Sequence, residues 1–326
     1  MKQTVIVTNR IEKPALEKLE SHFNVTFFTG SDDLNNPDFL NDLKIAKGLI
    51  GLFIEIDADF LDLAPNLKIV STISVGYNHL DIKELTKRGI MATHTPDILN
   101  DTVADTMIAL LLATARRIPE LDRYVKNKEW TGLIPTELYG EDVHHKTLGI
   151  IGMGRIGHVI AQRANLGFDM PILYNSRTRK PEAEERFNAK HLELDDLLKQ
   201  SDYIILITPL TEETEGMIGK REFDLMKDTA IFINGSRGAT IVENDLIQAL
   251  KDKKIKAAGL DVYNEEPVEV DNTLLKMNNV VTLPHIGSST LATELAMSMH
   301  ATEDAIRGIT GQKPKSLINK ETYKEK

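Results

Sequence analysis

The residues that could do chemistry fall mostly in the second half of the chain. An apolar run, Leu148-Gly149-Ile150-Ile151, leads into Gly152-Met153-Gly154-Arg155-Ile156-Gly157. This is G-x-G-x-x-G between a strand-like segment and a helix-like one with Ile156, Val159, Ile160 and Ala164 along one side. In that setting each glycine has a task. Gly152 makes the tight turn, Gly154 lets the backbone approach a pyrophosphate, and Gly157 lets helix and strand pack closely. The helix N-terminus, with Arg155 and Ile156 in its first turn, offers N–H groups and partial positive charge to phosphates. Gly167 is its expected C-cap. The next strand should end at Tyr174, before Asn175-Ser176-Arg177-Thr178-Arg179-Lys180. A site built for NAD places Asp or Glu there to accept from the ribose 2′-OH. Asn175 is not acidic, and the cations after it suit a 2′-phosphate. The expected cofactor is NADPH, with NAD the alternative.

Three further residues follow strand-like runs. Arg237 lies in Asn234-Gly235-Ser236-Arg237-Gly238, Glu266 in Asp261-Val262-Tyr263-Asn264-Glu265-Glu266-Pro267, and His285 in Leu283-Pro284-His285-Ile286-Gly287. Ligands of open α/β sheets bind at the carboxyl ends of strands. A single His is more often structural, but three such residues at one sheet edge beside a dinucleotide fingerprint point to a site. His144 and His145 stand together without a third ligand at metal-binding spacing, so they read as a hydrogen-bonding pair and no metal is expected.

The elements that must position these residues alternate. Thr4–Val7, Val25–Phe28, Leu49–Leu52 and Ile69–Ile73 read as strands, with helices near Asp38–Ala46 and Ala58–Ala64 and another opening at Pro14. Asp101–Arg117 reads as one long apolar helix, a spacer between two domains, and residues 128–146 as loop. Strands then resume at Thr147–Ile151, Ile172–Tyr174, Tyr203–Ile207, Ala230–Ile233, Ala257–Leu260 and Val280–Leu283. Continuous apolar runs of this kind suit buried parallel strands. Thr290–Ile309 should be helical, with a solvated, partly disordered Lys-rich tail after it. The expected fold class is α/β, two doubly wound parallel-sheet domains.

Composition narrows the function. The chain has 326 residues, enough for two domains at about 150 each. Lys and Arg total 39 against 49 Asp and Glu, a net charge of −10 that argues against nucleic acid and anionic membrane as partners. The absence of cysteine removes disulfides, thiolate metal sites and Cys nucleophiles. It also fits a reducing, cytoplasmic setting. No apolar stretch approaches the roughly 18 residues of a membrane helix, and the first residues lack a signal-peptide core.

Ser236-Arg237-Gly238, Gly259-Leu260-Asp261-Val262 with Glu266-Pro267, and Pro284-His285-Ile286-Gly287 occur in the order and spacing of the D-isomer-specific 2-hydroxyacid dehydrogenase family. The chain resembles that family from its first strand to its last helix. Through Val143–Ile150 and Met170–Asn175 it is most similar to the bacterial glyoxylate/hydroxypyruvate reductase subgroup, whose members also reduce 2-ketogluconate. The resemblance implies a catalytic set of Arg237, Glu266 and His285. His285 would be the general acid, Glu266 its hydrogen-bond partner, and Arg237 the residue that binds the substrate carboxylate and polarises the keto oxygen. Backbone N–H groups of Val75 and Gly76, in Ser74-Val75-Gly76-Tyr77-Asn78, would bind the same carboxylate. Asp261 would hold the nicotinamide carboxamide, Thr208, Pro209 and Leu210 would border the adenosine, and Ser176 and Arg177 would meet the 2′-phosphate.

The resemblance also implies that residues 99–288 are a dinucleotide-binding domain inserted into a substrate domain of residues 1–98 and 289–326. The active site would lie in the cleft between them, with hinges near Pro96–Asp101 and Gly287–Thr290. A homodimer is implied, its arm near Trp130. That Trp would approach the partner's active site or else cover its own core. The chain departs from many members at Asn78, where they carry Asp, and at Asp105, where they carry Glu. The expected function is NADPH-dependent reduction of glyoxylate, hydroxypyruvate or 2-ketogluconate. The alternatives are D-3-phosphoglycerate or D-lactate dehydrogenase, or a non-catalytic dinucleotide-sensing protein.

Overall fold

Short runs rich in Val, Ile and Thr become parallel strands, and the polar segments between them become helices. The computed structural model describes residues 2–28, 34–52 and 54–324. Its backbone divides into two units, Met1–Leu99 with Ser289–Lys326, and Asn100–Ser288.

The first unit holds β1 (Thr4–Thr8), β2 (Asn24–Phe28), β3 (Gly48–Gly51), β4 (Ile69–Thr72) and β5 (Met91–Thr93), ordered β2-β1-β3-β4-β5. All neighbours run parallel. Helices α1 (Lys13–His22), α2 (Pro37–Ile45), α3 (Ala58–Leu63) and α4 (Ile82–Lys87) alternate with the strands. Their starts are written locally. α2 opens on Asn36, whose side chain accepts from Asp38 N–H, with Pro37 at the first helical position. Asp57 caps α3 and Asp81 caps α4 in the same way. On one face of the sheet Ile6, Leu49 and Val70 pack with Phe39 and Leu43 of α2 and Leu85 of α4. On the other, the long helix Leu291–Ile309 crosses β3 and β4. Glycines make that approach possible: a Cβ at Gly48 would lie 2.7 Å from Ile309 Cδ1, and one at Gly308 2.6 Å from Ile69 Cδ1.

One expectation changes in this unit. The C-terminal tail is docked rather than solvated. Leu317 bridges Thr93, Ile318 N–H donates to Ala92 O at 2.8 Å, and the buried Asn319 side chain binds both Ala92 N–H and Ile90 O. Asp304, itself buried, accepts from the N–H groups of Lys315 and Ser316 and so fixes the tail's start. The last two residues lie outside the described residues.

The second unit is a larger version of the same plan. Its strands are β6 (Leu148–Ile151), β7 (Ile172–Asn175), β8 (Lys190–His191), β9 (Tyr203–Leu206), β10 (Ile231–Asn234), β11 (Ala257–Leu260) and β12 (Val280–Thr282). They form one parallel sheet in the order β12-β11-β10-β9-β6-β7-β8. Its helices are α5 (Asn100–Ala115), α6 (Ile118–Lys126), α7 (Arg155–Phe168), α8 (Pro181–Phe187), α9 (Leu194–Gln200), α10 (Lys220–Leu225) and α11 (Glu243–Lys251), and Leu291–Ile309 in the other unit is α12. The strand order reverses between β6 and β9, the switch point where open α/β sheets bind ligands.

The long apolar helix is not a free-standing spacer. α5 packs on β10, β11 and α7, burying Val103, Met107, Leu110 and Leu111. Arg163 on α7 ties the pair by reaching Asp101 and Asp105. Gly167 is not the C-cap of α7 either. The helix runs on to Phe168, and Asp169 takes the left-handed position at φ 52°, a conformation Asp tolerates better than most residues.

Candidate active site

The second unit gathers most candidate residues at the carboxyl edge of its sheet. β6 ends at Ile151 and Gly152 turns the chain at φ +105°, where a Cβ would sit 2.5 Å from Ile207 O. Gly154 caps α7, and a Cβ there would meet nothing within 4 Å. Gly157 faces the turn at contact distance, its Cβ position 2.4 Å from Gly152 O. Arg155 and Ile156 form the first turn of the helix, Arg155 exposed. The turn is thus closed beneath and open above, the shape a pyrophosphate needs. A dinucleotide fits these residues.

At the end of β7, Asn175 donates through Nδ2 to Leu192 O at 2.9 Å, and Ser176 Oγ to Thr178 O at 2.7 Å. Arg177 is exposed and has no hydrogen-bond or ion-pair partner among the described residues. At the end of β9, Thr208 N–H donates to Ser236 Oγ at 2.8 Å, and Pro209 O accepts from Thr214 Oγ1. Ser236 therefore links the β9 and β10 termini.

After β10, Asn234 Oδ1 accepts from Ser236 N–H, and the half-buried Arg237 donates through Nη1 to Ser236 O at 2.7 Å. Gly238 then lies against the next loop: a Cβ would fall 1.9 Å from the carbonyl carbon of Tyr263. No side chain fits there, so the Arg237 loop rests directly on the segment leading to Glu266. That segment folds back on itself as Tyr263 N–H donates to Glu266 Oε1 at 3.0 Å. Glu266 Oε2 meets His285 Nδ1 at 2.6 Å, the two side chains being 31% and 29% exposed. His285 itself sits at φ +52°.

Asp261 holds that histidine loop from below. It is 2% exposed, and its two oxygens accept from Ile286 N–H and Gly287 N–H, each at 2.8 Å. Tyr263 pins the other side, its hydroxyl donating to Leu283 O at 3.0 Å.

The electrostatics follow from this burial and bonding. Burial alone would raise the Glu266 carboxyl. The hydrogen bonds from His285 and from Tyr263 N–H, with the charges of His285 and Arg237, outweigh it and hold the carboxyl below its ordinary value. Burial lowers the Arg237 guanidinium against the opposing pull of Glu266. Asp261 is raised by burial despite its two amide donors. Burial also pushes the Tyr263 phenol up to about 12.

The first unit has its own candidate segment, after β4. Its two central amides, of Val75 and Gly76, have no hydrogen-bond partner among the described residues. The carbonyls turn the other way: His94 Nδ1 meets Val75 O at 3.0 Å, and Ser74 Oγ donates to Gly76 O at 2.6 Å. Adjacent unpaired amides of this kind form an anion-binding concavity.

Two sequence readings are resolved differently. Trp130 does not cover its own core: it is 63% exposed, its indole N–H donating to Gly132 O. His144 and His145 stack edge to face at 5.1 Å, and no metal-binding group of side chains occurs among the described residues. Sequence reasoning missed Ser236, Gly238 and Tyr263 as the pieces that lock the three loops together. Their proximity to Arg237 and Glu266 was visible in sequence, but their partners lie on neighbouring strands.

A glycine turn at the switch point of a parallel sheet, with an imidazole–carboxylate pair and an arginine along the same edge, defines a dinucleotide-dependent oxidoreductase. The chain belongs to the D-isomer specific 2-hydroxyacid dehydrogenase family, whose NAD binding domain matches residues 108–287. Glyoxylate/hydroxypyruvate reductase B of Yersinia pestis bv. Antiqua (strain Nepal516) is 48% identical over 319 residues, covering 98% of each chain. Among solved structures, a protein from Thermus thermophilus superposes with a TM-score of 0.88 at 36% identity, over 97% of this chain and 99% of its own. An NADPH-dependent glyoxylate/hydroxypyruvate reductase from Sinorhizobium meliloti, in complex with NADP and malonate, superposes with a TM-score of 0.90 at 28% identity, over 100% and 99%.

Proposed function

We propose that this chain reduces small 2-keto acids of the glyoxylate and hydroxypyruvate class to D-2-hydroxy acids with NADPH. The observation that carries this reading is the 2.6 Å contact between His285 Nδ1 and Glu266 Oε2. It commits one ring nitrogen to a carboxylate and makes Nε2 the nitrogen that carries the transferable proton. When bound at the glycine turn, the reduced nicotinamide supplies the hydride for C2. His285 provides the proton that the C2 oxygen takes up. Glu266, kept ionised by its donors, holds Nδ1 and fixes the ring's orientation. The planar fork of Arg237 holds the substrate carboxylate and polarises the keto oxygen. The unpaired amides of Val75 and Gly76 serve the same carboxylate.

In this reading Asn100–Ser288 holds the dinucleotide, and Met1–Leu99 with Ser289–Lys326 serves the substrate. Gly152, Gly154, Arg155, Ile156 and Gly157 receive the pyrophosphate. Thr208 and Pro209 border the adenosine. Asn175, Ser176 and Arg177 border its 2′-phosphate, with Arg177 as the cation. Asp261 faces the nicotinamide end. The reading also makes the protein a cytoplasmic homodimer. Ile118, Val125, Trp130, Leu133 and Tyr139, on α6 and the segment after it, are all more than half exposed, an apolar strip of the kind a second copy covers. Among the described residues no helix is long and apolar enough to cross a membrane.

The test is NADPH oxidation with glyoxylate, hydroxypyruvate and 2-ketogluconate in parallel, repeated with NADH. Turnover of at least one, faster with NADPH, is the expected result. Silence with all three despite tight NADPH binding would reject the reading and favour a dinucleotide-sensing protein.

A further inference from the structure

Three cations follow β7, and they are not equivalent. Arg179 is locked: its Nε and Nη2 reach Glu184 Oε1 and Oε2 at 3.0 and 2.7 Å, a bidentate fork. Lys180 spends its ammonium on Thr178 Oγ1. Arg177 alone is exposed and without a partner among the described residues.

What locks Arg179 is a second bond to the same carboxylate. Tyr174 is the last fully buried residue of β7, and its hydroxyl emerges beside the start of α8. It donates to Glu184 Oε1 at 2.5 Å and accepts from Lys180 N–H at 2.7 Å. One phenol thus joins the strand end, the loop's last amide and the carboxylate on α8. Arg179 and Tyr174 together hold the Glu184 carboxyl at about 2, so it stays charged at any working pH. The loop is tied inside as well, by Asn175 Nδ2 to Leu192 O and by His191 Nε2 against Ser176 O.

We propose that Tyr174 and Glu184 are positioning residues for NADPH selectivity: they hold Arg179 back in an ion pair and present Arg177 to the 2′-phosphate. This rests on the NADPH reading above and deepens it. Selectivity would then depend on a buried phenol that acts through the loop rather than by touching the phosphate.

The test uses the whole protein and calorimetric binding of adenosine 2′,5′-bisphosphate against adenosine 5′-monophosphate, which differ only in the 2′-phosphate. Tyr174→Phe keeps the ring and removes the bridge. It should weaken the bisphosphate about five- to tenfold, the loss of roughly one net hydrogen bond. The monophosphate should stay within twofold, and KM for NADPH should rise with kcat unchanged. Arg177→Ala should weaken the bisphosphate more than Arg179→Ala does. If Arg179→Ala equals or exceeds Arg177→Ala, or if Tyr174→Phe leaves the bisphosphate unaffected, the proposal is wrong. Should Tyr174→Phe lower the melting temperature, the Arg177 and Arg179 variants decide alone. A wild-type protein that binds both nucleotides equally would instead remove the NADPH reading itself.

Discussion

The two sheets of this protein obey the same rules and end differently at their switch points. In the first unit the order reverses between β1 and β3, and Gly51, at φ +152°, lets the strand ends close: its Cβ would fall 2.0 Å from Thr8 Oγ1. In the second, Gly152 does the same against Ile207. The difference lies in the turn that leaves the first strand of each sheet. After β1 the chain continues as Asn9 and Arg10. Asn9 Nδ2 donates to Leu52 O at 2.8 Å, and Arg10 pairs with Glu12. Side chains stitch that turn shut. After β6 it continues as a buried Met153 and a bare Gly154 with nothing above it. A shared topology supplies a crevice, and the residues of the turn decide whether anything can enter.

The strongest way to test the division is at the edge of the second sheet. His285→Ala should lower kcat about a thousandfold, within the range for loss of a general acid. Binding of NADPH, followed by its fluorescence, should stay within twofold. Near-wild-type kcat would remove His285 from the proton step.

The next variant fills the open turn. Gly154 sits at φ −85°, which any residue can adopt, and a Cβ there has room. Gly154→Val should therefore fold with an unchanged melting temperature. It should weaken NADPH about a hundredfold, because its methyls occupy the space for the pyrophosphate. Unchanged affinity would place the dinucleotide elsewhere.

A smaller effect is expected in the first unit. Ser74→Ala removes the bond that holds Gly76 O and so frees the Gly76–Tyr77 peptide to rotate, loosening the turn that carries the Val75 and Gly76 amides. The KM for glyoxylate should rise about fivefold, roughly 1 kcal/mol of lost preorganisation. Unchanged kcat goes with it. A fall in kcat at constant KM would argue that the loop serves chemistry rather than binding.

These contrasts were unevenly legible in the sequence. Strands such as Tyr203–Leu206 and Ile231–Asn234 were visible because a strand buried on both faces must be apolar throughout. β8, with two residues, carries too little periodicity to be seen. Arg237, Glu266 and His285 stood out because each follows a strand, and the G-x-G-x-x-G turn because its flanks fit. The docked tail was missed because Leu317 and Asn319 are ordinary residues whose partners on β5 lie more than two hundred positions away. The standing of Arg177 against Arg179 was hidden for a similar reason. It depends on Glu184 and Tyr174, whose side chains meet only when β7 and α8 are in place.

The smallest effect belongs to the part of the first unit with no proposed chemistry. Glu303 on α12 pairs with Lys18 of α1 and with Lys315 at the head of the tail, at 2.7 and 2.9 Å. Those two hydrogen bonds lower its carboxyl from 4.5 to about 2. A lowered acid stabilises the fold above its ordinary value, and that contribution is lost as pH falls toward the folded one. The side chain is 34% exposed, so solvent screening keeps the total below about 1 kcal/mol. Glu303→Gln should therefore melt slightly lower than wild type at pH 7, and the gap should close as pH falls from 4.5 toward 2. Turnover and NADPH affinity should not change. A gap that persists at low pH would mean the loss comes from packing rather than charge. A changed KM would mean that α12 and the docked tail bear on the substrate loop, and the contrast between a structural and a chemical face of the first unit would have to be redrawn.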